Sequence, residues 1–240
     1  MKERLFVWLG GTLFVASLAV CAYYYLIVWA QDPTIELIVH DPYEVSRHGG
    51  TPAASIGANT FLFGLFAMHH SVFARDGVKA RLARIVPERL LRSVYVWTAS
   101  ALLLLVCALW QPLGGEAYRA TGWRALAHAL LQLVGLGVMA ASVRVIDPLE
   151  LAGIRRQTTR DALQVSGPYR WVRHPLYLGW ILAVFGAAHM TGDRLAFAAI
   201  SSLYLVIAVP WEERSLRESL GQAYLDYMQR VRWRIIPYVY

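Results

Sequence analysis

The chain has 240 residues, of which 57% are hydrophobic and only 16% charged. Soluble domains run nearer half apolar and a quarter charged, so this composition excludes an ordinary water-soluble domain and makes the bilayer the expected solvent. The formal charge of +7 would suit nucleic acid only as a basic face, whereas Lys and Arg here fall between long apolar runs, and no nucleic-acid partner is expected.

Lys2 and Arg4 precede an apolar run from Leu5 to Ala30, longer than the roughly 7 to 15 residues of a signal-peptide core, so it reads as a retained first helix. At roughly 20 apolar residues per span, helices are expected at 5–30, 53–74, 90–112, 125–146, 176–191 and 194–211. The last two would close on Thr191-Gly192-Asp193 as a helical hairpin, with a re-entrant pair as the alternative. The fold class is therefore all-α, a polytopic membrane bundle of about six helices. It divides into an N-terminal four-helix region, 1–146, and a C-terminal region, 147–240, that ends in an amphipathic cytosolic helix.

With the N-terminus inside, 19 Lys and Arg residues fall on one side and four on the other, namely Arg47, Arg119, Arg124 and Arg194. The positive-inside rule then places both termini in the cytoplasm. The longer pieces outside the bilayer are 31–52, 75–89, 147–175 and 212–240, and chemistry with a cytosolic cofactor belongs on the last two. Cys21 and Cys107 lie in apolar stretches and are expected to pack as small hydrophobes, with no disulfide and no metal site.

Near the end of the second span, His69 and His70 are ionisable groups at membrane depth, a default functional hypothesis. Neighbours on a helix point about 100° apart, so the two make a poor bidentate metal site. They read either as substrate-facing groups or as hydrogen-bonding links between helices. Asp147 and Glu150, after Arg144, read as a functional face or, preferred, as an ion pair at the membrane edge.

The stretch from Ser166 to Gly179 is the most informative. Pro175 suits the first turn of the fifth helix, so the free N–H groups and positive dipole end would face the loop bearing Arg173 and His174, favouring an anionic group there. Singly, Arg170 and Arg173 read as topology determinants, Tyr169 and Tyr177 as an interfacial belt, and His174 as a polar cap. Such roles do not require Gly-Pro-Tyr, Arg-His-Pro and Tyr-x-Gly in one fixed order. Glu212 and Glu213 follow Pro210-Trp211 where unpaired carboxylates are costly, so Arg173, Arg214 or a cofactor ammonium are the expected partners. Leu216, Leu220, Tyr224 and Tyr227 then trace an amphipathic helix, with Gly221 expected to mark a close backbone approach.

Gly167-Pro168-Tyr169, Arg173-His174-Pro175, Tyr177 and Gly179, with Glu212-Glu213, Leu216, Gly221, Tyr224 and Tyr227, are similar to the isoprenylcysteine carboxyl methyltransferase and phospholipid methyltransferase superfamily. The resemblance implies S-adenosylmethionine as cofactor, with contacts from Tyr169, Arg173, His174, Pro175, Tyr177 and Gly179, and with Glu212 and Glu213 closing the pocket. Further upstream, His69-His70-Ser71 through Arg75, Pro87 to Tyr95, Trp110-Gln111-Pro112 and Ile146-Asp147 with Leu149 to Leu151 resemble bacterial methanethiol S-methyltransferases and NnrU-type relatives, although Pro148 departs from that pattern. What this implies is an integral protein of a bacterial inner membrane that methylates a small thiol. The rival readings are methylation of a lipid or prenylated carboxylate or amine, and a non-catalytic membrane transport or sensing role. His69, His70 and His174 are the neutral-pH bases among these residues, and Arg173 is the candidate source of a positive field.

Overall fold

The computed structural model describes residues 1–31, 51–73, 76–155, 163 and 165–240. The helices are α1 (Lys2–Leu26), α2 (Pro52–Phe73), α3 (Asp76–Leu82), α4 (Glu88–Ala108), α5 (Gly122–Ile146), α6 (Pro148–Leu151), α7 (Pro175–Phe185), α8 (Gly192–Leu220) and α9 (Gln222–Arg230). A two-stranded antiparallel ladder joins β1 (Glu116–Arg119) to β2 (His189–Thr191). The protein is a helical membrane protein. Among the described residues four segments are long and apolar enough to cross a bilayer, Lys2–Ala30, Arg89–Ala108, Gly122–Ile146 and Gly192–Leu220.

Six spans were expected. Of the other two, α2 has the length but carries Asn59, His69 and His70, and α7 has only 11 residues, about 16 Å at the helical rise against a hydrocarbon core of about 30 Å. The expected hairpin of 176–191 and 194–211 also differs in form. The first arm stops at Gly186, where a Cβ would lie 2.7 Å from the backbone nitrogen of Gln132, and residues 189–191 then pair with β1 instead of extending the helix. Thr191 is not in a turn between helices. It caps α8, accepting the Arg194 N–H at 3.3 Å. The second arm runs past 211 for two more turns, through Pro210, so Glu212 and Glu213 are helical residues.

α5 and α7 form the most extensive helix pair and α1 with α4 the next. The first depends on small residues: a Cβ on Gly135 would meet the Ala183 nitrogen at 2.5 Å, and one on Gly179 the Gly135 oxygen at 2.7 Å. Between helices in lipid such close van der Waals contact replaces the hydrophobic drive available in water. An aromatic core of Tyr25, Trp29, Phe63, Trp110, Trp180 and Phe197 fills one end of the bundle, with Trp29 and Trp110 centred 4.7 Å apart.

That end is locked by polar groups turned onto backbone. Arg194, 7% exposed, donates to the carbonyls of Tyr25 (2.8 Å), Leu26 (2.8 Å) and His189 (2.6 Å), tying the C-terminus of α1 to the start of α8. Thr191 donates to Trp29 O, Asp193 accepts from Trp110 Nε1 at 2.7 Å and Leu113 N at 3.0 Å, and Asn59 forms a reciprocal pair with the Gln111 backbone at 2.8 Å each way. Trp110 and Gln111 are thus architectural residues.

Gly221 corrects a further expectation. A Cβ there would meet nothing within 4 Å, and the glycine serves instead because φ is +56° where α8 breaks into α9. Cys21 and Cys107 are both buried and free, their thiols within hydrogen-bonding reach of each other.

Candidate functional site

The opposite end gathers the loop before α7, the last turns of α8 and the segment after α9. Gly167, with φ +56°, opens a single 3-10 turn, Gly167–Arg170, whose Tyr169 carbonyl accepts the Tyr227 hydroxyl at 2.7 Å. Residues 173 and 174 then pair by backbone with the tail, Arg173 N to Trp233 O at 2.9 Å and His174 N to Arg234 O at 2.8 Å. His174 occupies the N-cap position of α7 without a side-chain capping bond, and Pro175 takes the first helical position, as the sequence implies.

Arg173 and Glu213 form the structural core of this end. Arg173 Nε donates to Glu213 Oε1 at 2.6 Å, and its Nη1 donates to the carbonyls of Val231 (2.8 Å) and Arg232 (2.7 Å). The second Glu213 oxygen pairs with Arg234 Nε at 3.3 Å, and Glu213 is only 1% exposed. One buried carboxylate thereby joins the pre-α7 loop, α8 and the tail. Arg214, the other expected partner, instead pairs with Glu218 on the surface at 2.9 Å.

Glu212 is placed differently. It is exposed, accepts the Tyr177 hydroxyl at 2.8 Å and lies 3.6 Å from His174 Nδ1. His174 stacks on Tyr177 with ring planes 11° apart, and its Nε2 lies 3.4 Å from Glu213. His174 thus stands between the two carboxylates. Tyr169 stays neutral, because burial first and the Glu212 charge second push its phenol well above the ordinary range, while burial takes Tyr227 up to about 12 against the opposing charge of Arg173.

The second wall comes from α2, α4 and α8. His70 is exposed, yet its ring neighbours are Phe66, Tyr95 and Tyr204, and its Nδ1 sits 2.5 Å from the Tyr95 hydroxyl. Ser71 and Tyr204 share a 3.2 Å hydrogen bond. Tyr204 and Glu212 both stand on α8, and the Glu212 charge acts on Tyr95, Tyr169 and Tyr204, so the two groups of side chains lie at the same end of the bundle.

The structure sorts the sequence candidates. His174, Tyr177 and Glu212 contact one another, and His70 stands with Tyr95 and Tyr204. Arg173 and Glu213 are buried and bonded to each other, and Gly179 faces α5. His69 is 7% exposed, stacks on Phe73 and Tyr95, and has no hydrogen-bond partner for either ring nitrogen among the described residues. Asp147 caps α6 through Leu149 N at 2.9 Å and pairs with Arg155 at 2.8 Å, while Arg92 reaches the carbonyl of buried Glu150 at 3.3 Å. The edge pairing is therefore made with Arg155, not with the adjacent Arg144. Sequence reasoning missed Tyr204, the Arg234–Glu213 pair and the Tyr95–His70 hydrogen bond. Only Tyr95 had a signal, its position at the end of the Pro87 to Tyr95 stretch.

A carboxylate, a histidine and several phenols are thus gathered at one end of a helical membrane protein. The profile of the phospholipid methyltransferase family matches residues 123–223. The methanethiol S-methyltransferase of Mycobacterium tuberculosis is 36% identical over 75% of this chain and 79% of its own length, and methanethiol S-methyltransferase 1 of Bradyrhizobium diazoefficiens is 30% identical over 98% and 85%. Nurim of Xenopus laevis is 26% identical over 62% of this chain and 58% of its own. No solved structure matches the chain. The chain belongs to the methanethiol S-methyltransferase family and is a membrane methyltransferase.

Proposed function

We propose that the protein transfers the methyl group of S-adenosylmethionine to a small thiol, of which methanethiol, giving dimethyl sulfide, is the type. The observation that supports this reading is a carboxylate–histidine–tyrosine cluster, Glu212, His174 and Tyr177, at the same end of the bundle as a phenol–imidazole pair, Tyr95 and His70, which we read as two walls of one chamber. The small-thiol acceptor follows from the relatives' names together with this wall.

The residues present suit the methyl donor. Glu212 remains accessible and can accept hydrogen bonds from ribose hydroxyls or an ammonium, and the faces of Tyr169, Tyr177, Tyr95 and Tyr204 favour a cationic sulfonium. When bound, the donor supplies an electrophilic methyl on a positively charged sulfur. Arg173, Glu213, Pro175 and Gly179 hold the wall, and the backbone pairing of 173–174 with 233–234 fixes where His174 and Tyr177 present their rings.

Merging a sulfonium with a thiolate gives two neutral thioethers, so a water-poor chamber penalises the separated charges more than the transition state. The protein's tasks are to align the acceptor in line with the methyl and to take the thiol proton. With both termini in the cytoplasm, as the 19 to four distribution of Lys and Arg supports, the chamber opens where the donor is made.

A second reading, a lipid acceptor, draws support from the phospholipid methyltransferase profile. Assaying purified protein with S-adenosylmethionine against methanethiol, a prenyl-cysteine and phosphatidylethanolamine separates the two. Dimethyl sulfide as the dominant product is expected. Methylated lipid with no dimethyl sulfide across pH 6 to 9 would replace the thiol reading.

A further inference from the structure

The wall formed by α2 and α4 contains more than a base. Both ring nitrogens of His70 face one oxygen, the Tyr95 hydroxyl, which is 2.5 Å from Nδ1 and 3.5 Å from Nε2. The half-buried Tyr95 hydroxyl and the exposed His70 imidazole thus form one hydrogen-bonded pair. The Tyr95 ring is held from several sides: the Arg92 guanidinium lies 5.1 Å from its centroid, His69 stacks on it at 5.3 Å and 22°, and His70 tilts against it at 5.6 Å. Arg92 is itself tied to the carbonyls of Glu150 and Leu151.

We infer that Tyr95 is a catalytic proton relay: its phenol takes the proton of the thiol acceptor while passing its own to His70 Nδ1. This deepens the small-thiol reading and rests on it. In the step, a bond forms between the acceptor sulfur and the transferred methyl as the methyl–sulfonium bond breaks, its electron pair staying on the departing sulfur. The thiol proton moves to the Tyr95 oxygen, the phenol proton moves to His70, and the imidazolium later releases one proton to water.

On α2, His69 contributes a stacked ring; on α4, Arg92 contributes a positive charge that favours an anion in transit and opposes a lasting imidazolium at His70, so the proton must pass on to water; on α8, the Tyr204 ring is centred 6.5 Å from His70 and the Glu212 charge acts on Tyr95; on α7, Tyr177 is engaged with Glu212. Ser71 is occupied by Tyr204, which leaves Tyr95 as the hydroxyl bonded to the imidazole.

The test compares kcat/KM for methanethiol from pH 6 to 9 in wild type, Tyr95→Phe, His70→Ala and the double variant, with S-adenosylhomocysteine affinity measured alongside. Tyr95→Phe keeps the ring that Arg92 and His69 pack against. It is expected to lower kcat/KM about a hundredfold near neutrality, the scale of a lost general base. The deficit should shrink towards pH 9, because below the pKa of the thiol its free thiolate fraction rises about tenfold per pH unit without help from the protein. His70→Ala should match it, the double variant should be no worse than either single, and cofactor affinity should hold, since residues acting as one unit are not additive. A Tyr95→Phe profile parallel to wild type, or losses that multiply in the double variant, would overturn the relay alone. A wild-type protein inert towards methanethiol would remove the thiol reading and the relay with it.

Discussion

Each end of the molecule buries an arginine, and they do so to different purpose. Arg194 gives its protons to three backbone carbonyls and lays its guanidinium 5.3 Å from the Tyr25 ring, and the polar groups around it, Thr191, Asp193, Asn59 and Gln111, also bond to backbone or to the indole of Trp110. Arg173 spends its protons on Glu213 and two carbonyls, yet Glu212, next to Glu213 in sequence, is exposed and lies 3.6 Å from the buried His174 ring. Satisfied polar groups facing inward make a joint. The same kind of joint with accessible neighbours makes a site. Adjacent glutamates on one helix illustrate the point, since Glu213 holds the wall together and Glu212 is presented by it.

The largest effect expected from this contrast belongs to Glu213. Glu213→Ala leaves the Arg173 charge buried with only carbonyl partners, and breaking such a pair costs about 3–5 kcal/mol. Thermal unfolding in detergent should show a drop of that scale, with cofactor binding lost because the fold of this end is lost. A variant that unfolds like wild type while losing only binding would move Glu213 from wall to contact.

A smaller effect sharpens the comparison from the loop between the two walls. Asp147 is held below the usual carboxylate range, first by the Leu149 N–H and then by Arg155. Its pKa is depressed on folding, so the unfolded chain binds the extra proton first as pH falls. The stability it contributes is present above the ordinary carboxylate pKa and is lost as pH drops through the lowered one. Asp147→Asn, which keeps an oxygen for the cap, should flatten the acid limb of the unfolding curve below the ordinary carboxylate pKa of about 4. An unchanged limb would show that this pairing contributes nothing.

Much of the site was legible, and the reason is local. Residues 166–179 carry their own geometry, because Gly167 needs a positive φ, Pro175 starts a helix and His174 precedes it, so spacing in sequence becomes spacing in space. The pairing of Arg173 with one of the two glutamates was also foreseeable from the cost of a lone carboxylate at that depth. What was hidden lies on other helices. Tyr204 sits in a helix apolar on both its lipid and its core faces, so periodicity cannot say which residues turn inward. Arg234 reaches Glu213 only because the tail folds back on residues 173–174.

The fold was read in outline but not in its boundaries. Hydropathy runs unbroken from Leu176 into Met190, so nothing in the composition marks the stop at Phe185. That stop is set by Gly186 packed on the Gln132 backbone and by β1 offering a partner to 189–191, both distant in sequence. Pro210 and the charges after it suggested an end to α8. The helix continues because Glu213 has Arg173, His174 and Arg234 to meet.

The most direct test of the division between joint and site is S-adenosylhomocysteine affinity, measured by calorimetry on folded wild type, Glu212→Gln and Arg194→Met under one set of conditions. Glu212→Gln should bind at least tenfold more weakly, about 1.4 kcal/mol, with its unfolding temperature nearly unchanged. Arg194→Met should be less stable yet bind within about twofold of wild type, a difference of about 0.4 kcal/mol. Equal losses of affinity in both variants, or a Glu212→Gln protein that binds as wild type does, would contradict the account.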